Sequence, residues 1–200
     1  LVESSLWNVR TKITKKTYVL LQPGKLILEE DYIDLNDITS SQLVAKTRYT
    51  VISPGTEVGA YNGLPFLRAG VRYPRLVGYC NLAEVISVGD QVQGYAIGDL
   101  ILTFQPQTSA FLCEESEVIC KVTAVAEDLP KVTSAYLYHL GYDALLKGDV
   151  KPGENVAIIG LGTLGLAAID VCRMAGNYVV GISAHNHELG KKFGSNQTFD

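Results

Sequence analysis

Through its first two thirds the chain is written in short alternations of apolar and polar residues. Thr17-Tyr-Val-Leu-Leu and Lys25-Leu-Ile-Leu-Glu flank the turn Gln22-Pro23-Gly24, a hairpin signature. Gln42 to Val51 (QLVAKTRYTV) and Leu82 to Val88 (LAEVISV) repeat with period two, as half-buried strands do. The second of these runs into Gly89-Asp90, and another turn at Gly98-Asp99 precedes Leu100-Ile-Leu-Thr-Phe. Many short strands punctuated by Gly, Pro and Asp predict a compact, barrel-like β domain.

The period changes near Val132. Thr133 to Lys147 (TSAYLYHLGYDALLK) fits a helix that Gly148 can end, and Lys151-Pro152-Gly153 is a turn. A strand at Asn155–Ile159 leads into a glycine loop and a helix from about Leu164 to Ala175, closed by Gly176. A second strand spans Tyr178–Ile182, a polar helix runs through Glu188 to Phe193, and Gln197–Phe199 opens a third strand. This β-α-β-α-β order predicts a parallel sheet with right-handed crossovers.

The loop reads Gly160-Leu161-Gly162-Thr163-Leu164-Gly165 and sits where a dinucleotide needs it, after the apolar strand Val156-Ala157-Ile158-Ile159 and at the head of an apolar helix. Gly160 permits a tight turn, Gly162 lets backbone approach a pyrophosphate, and Gly165 lets the helix pack closely on the strand. The first-turn N–H groups, including those of Thr163 and Leu164, then face phosphate at the positive end of the helix. At the end of the second strand an acid would bind the ribose 2′-hydroxyl of NAD. Here that position is Ser183, which removes the repulsion against a 2′-phosphate and can donate to it. His185, Lys191 and Lys192 add positive charge nearby, so NADP is favoured over NAD. A doubly wound dinucleotide fold uses about six strands. The segment 133–200 therefore reads as a linking helix and the N-terminal half of a Rossmann sheet, the rest lying outside this chain.

Composition narrows the class. Hydrophobic content of 47% with 19% charged residues describes a globular chain. Its apolar runs are strand-length, far short of the ~18 residues of a membrane helix. A net charge of −4 argues against nucleic acid as a partner, and Lys12, Lys15 and Lys16 read as a solvated strand face. The four cysteines form no C-x-x-C pair and fit neither a zinc ribbon nor a disulfide framework; Cys172 reads as a core residue. With no signal-peptide pattern, a cytoplasmic location is expected.

The order of parts now becomes specific. Val51-Ile-Ser-Pro-Gly-Thr-Glu57, Tyr73-Pro-Arg-Leu-Val-Gly-Tyr79, and Val85-Ile-Ser-Val-Gly-Asp-Gln-Val-Gln-Gly-Tyr-Ala-Ile-Gly-Asp99 precede the linking helix, Lys-Pro-Gly and the glycine loop. The whole chain resembles the medium-chain dehydrogenase/reductase superfamily, the alcohol dehydrogenase-like proteins. The resemblance implies a chaperonin-like (GroES-like) β-barrel over 1–132 that handles substrate, beside a Rossmann domain that binds cofactor.

Zinc-dependent members show Cys-Gly-x-Asp and then Gly-His-Glu, and a catalytic zinc needs about three protein ligands with one open position. In this sequence Pro54 stands at the cysteine position, Tyr79 at the histidine and Cys80 at the glutamate; the third ligand would fall near Tyr136. The four closely spaced cysteines of a structural zinc lobe do not occur either. No metal is expected. Charge developing on a carbonyl oxygen then needs another donor. Thr56 occupies the family's proton-relay hydroxyl position, and Tyr79 replaces a metal ligand. A phenol of ordinary pKa ~10 stays protonated at neutral pH and can donate; the alternative is an aromatic that packs into the vacated metal site. Glu57 reads as a turn stabiliser or a substrate contact. Tyr136, Tyr138 and Tyr142 read as core or cleft wall, His139 as a partly buried histidine, and His187 as an exposed loop histidine.

These readings converge on a zinc-independent NAD(P)H oxidoreductase passing hydride to or from a carbonyl, imine or activated alkene of a small, biosynthetic substrate. The alternatives are a non-catalytic NADP-binding sensor or pseudoenzyme, and a zinc alcohol dehydrogenase. A homodimer through segments outside this chain is the expected assembly.

Overall fold

A computed structural model of the chain describes residues 11–65 and 73–200. It divides into two compact units, 1–133 and 134–200.

In the first unit, β1 (Lys12–Gln22) and β2 (Lys25–Asp34) form an antiparallel hairpin around Pro23-Gly24. Both strands run longer than their apolar cores predict. Their polar ends pair across the ladder, with Lys16 Nζ 3.4 Å from Glu30 and Lys12 Nζ 3.8 Å from Asp34. There follow β3 (Gln42–Thr50), α1 (Pro54–Tyr61), β4 (Arg75–Leu76), β5 (Asn81–Val88), β6 (Leu100–Thr103), β7 (Ala110–Glu114), β8 (Val118–Val122) and the short α2 (Leu129–Thr133). They make two antiparallel sheets, ordered β2-β1-β4 and β7-β3-β5-β6-β8. The sheets are tied at an isolated bridge between Thr17 and Thr108, whose buried hydroxyls lie 2.7 Å apart.

The main core joins Leu43 and Ala45 of β3 to Ala83 and Val85 of β5, Ile101 of β6, and Phe111 and Cys113 of β7. A period of two led β3 to be read as half-buried, and here the structure corrects the sequence. Val44 is buried too, on the other face of β3, against Ile33 and Ala110. The hairpin strand that supplies Ile33 covers a face that local alternation leaves open.

The second unit begins with α3 (Ala135–Lys147) and continues through β9 (Asn155–Ile159), α4 (Thr163–Met174), β10 (Tyr178–Ile182), α5 (His187–Phe193) and β11 (Gln197–Phe199). Its three strands are parallel, in the order β11-β10-β9. The helix expected over Thr133–Lys147 forms as α3 from Ala135 to Lys147, and the short α2, which the sequence reading did not foresee, ends just before it at Thr133. Gly141, in the middle of α3, stands where a Cβ would come within 2.9 Å of Ala167 Cβ on α4, so it secures close helix packing. The core gathers Leu145, Leu161, Ala168, Ile169, Cys172 and Val179. His139 is exposed rather than partly buried and stacks on Tyr136 with ring centroids 6.2 Å apart; Tyr142 is exposed as well. No helix of the described residues is long and apolar enough to cross a membrane.

Ile101 is fully buried in the β core. Ile101→Ala is expected to lower the stability of the first unit by about 2–5 kcal/mol, through lost burial and the cavity left behind. Equilibrium denaturant unfolding compared with wild type checks this.

Candidate functional site

The helix α1 starts where β3 stops. Ser53 is its N-cap and Pro54 its first residue, a position at which proline loses no helical hydrogen bond. Ala60 of α1 packs with Leu20 of β1 and Val77. The Tyr61 backbone carbonyl accepts from Gly24 N–H at 2.7 Å, while its phenol donates to Gly24 O at 3.1 Å. This fixes α1 and thereby Thr56 in its first turn. The facing loop, Val77-Gly78-Tyr79-Cys80, links β4 to β5. Gln107 N–H donates to Val77 O at 2.7 Å and Val51 N–H to Cys80 O at 3.1 Å, holding the loop at both ends.

Within this frame Tyr79 Oη donates to Thr56 Oγ1 at 3.4 Å, and Thr56 is exposed. The two residues singled out as hydroxyl donors are 23 positions apart in sequence and adjacent in space. Glu57 follows Thr56 in the first turn of α1. Its Oε1 accepts from Ser53 N–H at 2.8 Å and its Oε2 from Gln107 Nε2 at 2.7 Å. Burial raises the Glu57 pKa; the hydrogen bonds from Ser53 and Gln107 and the charge of Arg75 pull the other way. Cys80 is buried, and burial with the nearby Glu57 carboxylate pushes its thiol up to about 11, which keeps it protonated at neutral pH. Among the described residues, no three His, Cys, Asp or Glu side chains come together to hold a metal ion.

Sequence reasoning missed two parts of this site. The helix α1 carried a readable signal, Ser-Pro followed by an acid in the first turn. Gln107 carried none, because its partners lie 50 residues away at Glu57 and 30 positions away at Val77.

In the second unit β9 runs into Gly160, whose φ of +93° is in the left-handed region glycine favours. Gly162 is the N-cap of α4 and Thr163, Leu164 and Gly165 form its first turn. A Cβ on Gly165 would overlap the carbonyl oxygen of Gly160, whereas one on Gly162 would meet nothing within 4 Å. The helix therefore starts directly over the strand with open space before it. Its first N–H groups have no partner within the helix and no side chain caps them. Ile159 and Ile182 are paired, so the loops after β9 and β10 leave the same edge of the sheet. After β10, Ser183 Oγ accepts from His185 N–H at 3.3 Å. Lys191, on α5, is 3.2 Å from Glu188, and His187 Nε2 is 2.9 Å from the Asp200 carboxylate. Asn186, not singled out from sequence, donates through Nδ2 to Leu161 O at 2.9 Å.

No protein-family model matches the chain. Sequence relatives include L-threonine 3-dehydrogenase of Aeromonas hydrophila, 24% identical over 80% of this chain and 55% of that protein. Galactitol-1-phosphate dehydrogenase from Escherichia coli superposes with a TM-score of 0.77 at 19% identity, over 92% of this chain and 60% of that one. The CAD of Helicobacter pylori, solved with NADP(H), gives 0.72 at 16% identity, over 94% and 65%. The chain is thus similar in sequence to dehydrogenases of the medium-chain dehydrogenase/reductase type and shares its fold with them. It spans about half the length of the curated relatives it matches.

Because burial raises the Glu57 pKa above its ordinary 4.5, the folded chain holds that proton more tightly than the unfolded chain. The associated stability is complete below pH 4.5 and is lost as pH rises through the raised value. Glu57→Gln removes the titration. The stability of wild type relative to Glu57→Gln is expected to fall on going from pH 4.5 toward neutrality, as read by denaturant unfolding at each pH. A flat or rising difference contradicts the assignment.

Proposed function

We propose that this chain is the substrate-handling and first cofactor-binding part of an NADP-dependent, zinc-independent oxidoreductase. On this reading the first unit is a GroES-like barrel and the second opens a doubly wound Rossmann sheet. The observation that carries the cofactor is the junction of β9 and α4. Gly165 has no room for a Cβ, Gly162 has open space, and the first turn of α4 presents uncapped N–H groups. Such a terminus suits a pyrophosphate. The Ser183 position has no acid to repel a 2′-phosphate, and the Helicobacter pylori neighbour was solved with NADP(H); NAD is the weaker alternative.

When bound, the nicotinamide supplies or accepts the hydride. The chain's own residues handle the oxygen. Tyr79 donates from its phenol to the developing oxyanion, the role a metal plays elsewhere in the superfamily. Thr56, at 3.4 Å, passes or replaces that proton from the exposed side. Glu57 holds the start of α1 through Ser53 and ties it to Gln107 rather than meeting substrate. Pro54 has no ligating atom and Tyr79 stands where a histidine ligand would be needed, which leaves Cys80 as one ligand at most, so the donor set does not fit a catalytic zinc. The names of L-threonine 3-dehydrogenase and galactitol-1-phosphate dehydrogenase both denote hydroxyl-bearing substrates, which supports a carbonyl–alcohol pair.

Turnover of a carbonyl panel, followed by NADPH absorbance at 340 nm, tests the reading. Tyr79→Phe is expected to lower kcat by roughly 100-fold or more, as loss of one oxyanion donor does, and Thr56→Ala by a smaller factor. Unchanged rates in both variants would remove these residues from the chemistry. NADPH binding with no oxidation of any substrate would favour a sensor. Stoichiometric zinc in the purified protein would restore the metal mechanism.

A further inference from the structure

The glycine loop is held to the segment after β10 by one residue acting in two ways. The buried side chain of Leu161 fills a hole that exists because two neighbours lack side chains. A Cβ on Gly181 of β10 would stand 3.0 Å from Leu161 Cδ2, and one on Gly190 of α5 2.9 Å from Leu161 Cδ1. The Leu161 backbone is held separately, by the hydrogen bond from Asn186 Nδ2 to its carbonyl oxygen. Asn186 has φ +66°, in the left-handed region that Asn tolerates better than other side-chain-bearing residues. It is the N-cap of α5, yet its side chain makes no capping bond; it reaches 25 residues back instead. The left-handed backbone is not the extended one of an ordinary N-cap, and the amide makes a long-range tie to the glycine loop instead, beside the packing of the Leu161 side chain.

The two ends of the tie are the two places a dinucleotide phosphate would be read. Leu161 lies between Gly160 and Gly162, and Asn186 directly follows Ser183-Ala184-His185, which is closed on itself by the Ser183–His185 bond. We infer that Asn186 is a positioning residue for the cofactor. It sets the Ser183–His185 turn at a fixed distance from the glycine loop, so that the adenosine 2′-phosphate and the pyrophosphate are met by a preformed pair of loops. This rests on the NADP reading above. The physical gain is preorganisation: a turn already in place is not ordered at the expense of binding energy.

The experiment compares Asn186→Gly and Asn186→Asp with wild type in the full chain. Glycine keeps the left-handed backbone and removes the donor. Aspartate keeps the shape and sets an acceptor against the Leu161 carbonyl. Dissociation constants for NADPH and NADH are measured by fluorescence titration, with thermal unfolding alongside. Asn186→Gly is expected to raise the NADPH Kd about three- to tenfold, the scale of one lost hydrogen bond. NADH, without the phosphate, is expected to shift less than about twofold, with Tm close to wild type. Asn186→Asp should move NADPH further in the same direction. An unchanged NADPH Kd, or an equal rise for both dinucleotides with a fallen Tm, would overturn the inference and leave Asn186 a strut of the fold. Wild-type protein that binds neither dinucleotide would overturn the NADP reading itself, before any variant is compared.

Discussion

Both candidate sites depend on backbone coming closer than a Cβ allows. At Gly165 the first turn of α4 lies on the carbonyl of Gly160, so helix and strand meet with no side chain between them. Any side chain there would push the helix off the strand end and move its N–H groups away from the space they face. At Gly78 the same exclusion operates in the β unit. A Cβ there would overlap Gln107 Cγ, and the φ of +86° is in any case a glycine conformation. Close approach is thus the condition for an uncapped helix end with open space before it in one unit and for a tightly held tyrosine loop in the other.

Around the tyrosine loop the polar groups are few and fully committed. Gln107 shows this best: its N–H goes to Val77, its carbonyl accepts from Tyr18 N–H, and its side-chain amide reaches Glu57. Asn81, fully buried at the start of β5, donates to Thr47 Oγ1 and to Pro106 O, both at 3.0 Å. Buried polar groups left unpaired would be costly, so these bonds specify one arrangement of β3, β5 and the 105–108 segment. Thr56 and Tyr79 inherit their separation from that arrangement.

Much of the second unit was legible in the sequence because its signals are local. The strand Asn155–Ile159, the glycine loop, the strand Tyr178–Ile182 and the strand at Gln197–Phe199 each announce themselves within a few residues. The β unit was legible only in part. Its turns and its most regular alternations mark β1, β2, β3, β5 and β6, whereas β7 and β8 are short, mixed in character and defined mainly by the strands they pair with. Three successive residues of β3, Leu43, Val44 and Ala45, are fully buried. A period of two cannot foresee that, since it reports one covered face and the second cover comes from elsewhere in the chain.

By itself the sequence determined residue types: glycines spaced as a dinucleotide loop requires, a serine and not an acid at 183, and a proline and a tyrosine at 54 and 79, where the resemblance would put zinc ligands. Those statements concern chemistry a residue either has or lacks. Tertiary structure decided proximity. It set Tyr79 beside Thr56, buried Cys80 next to Glu57, brought Gln107 between α1 and the tyrosine loop, and turned Asn186 back to Leu161. Each of those contacts spans more than 20 residues of chain and is fixed by packing of whole elements, which no local pattern encodes.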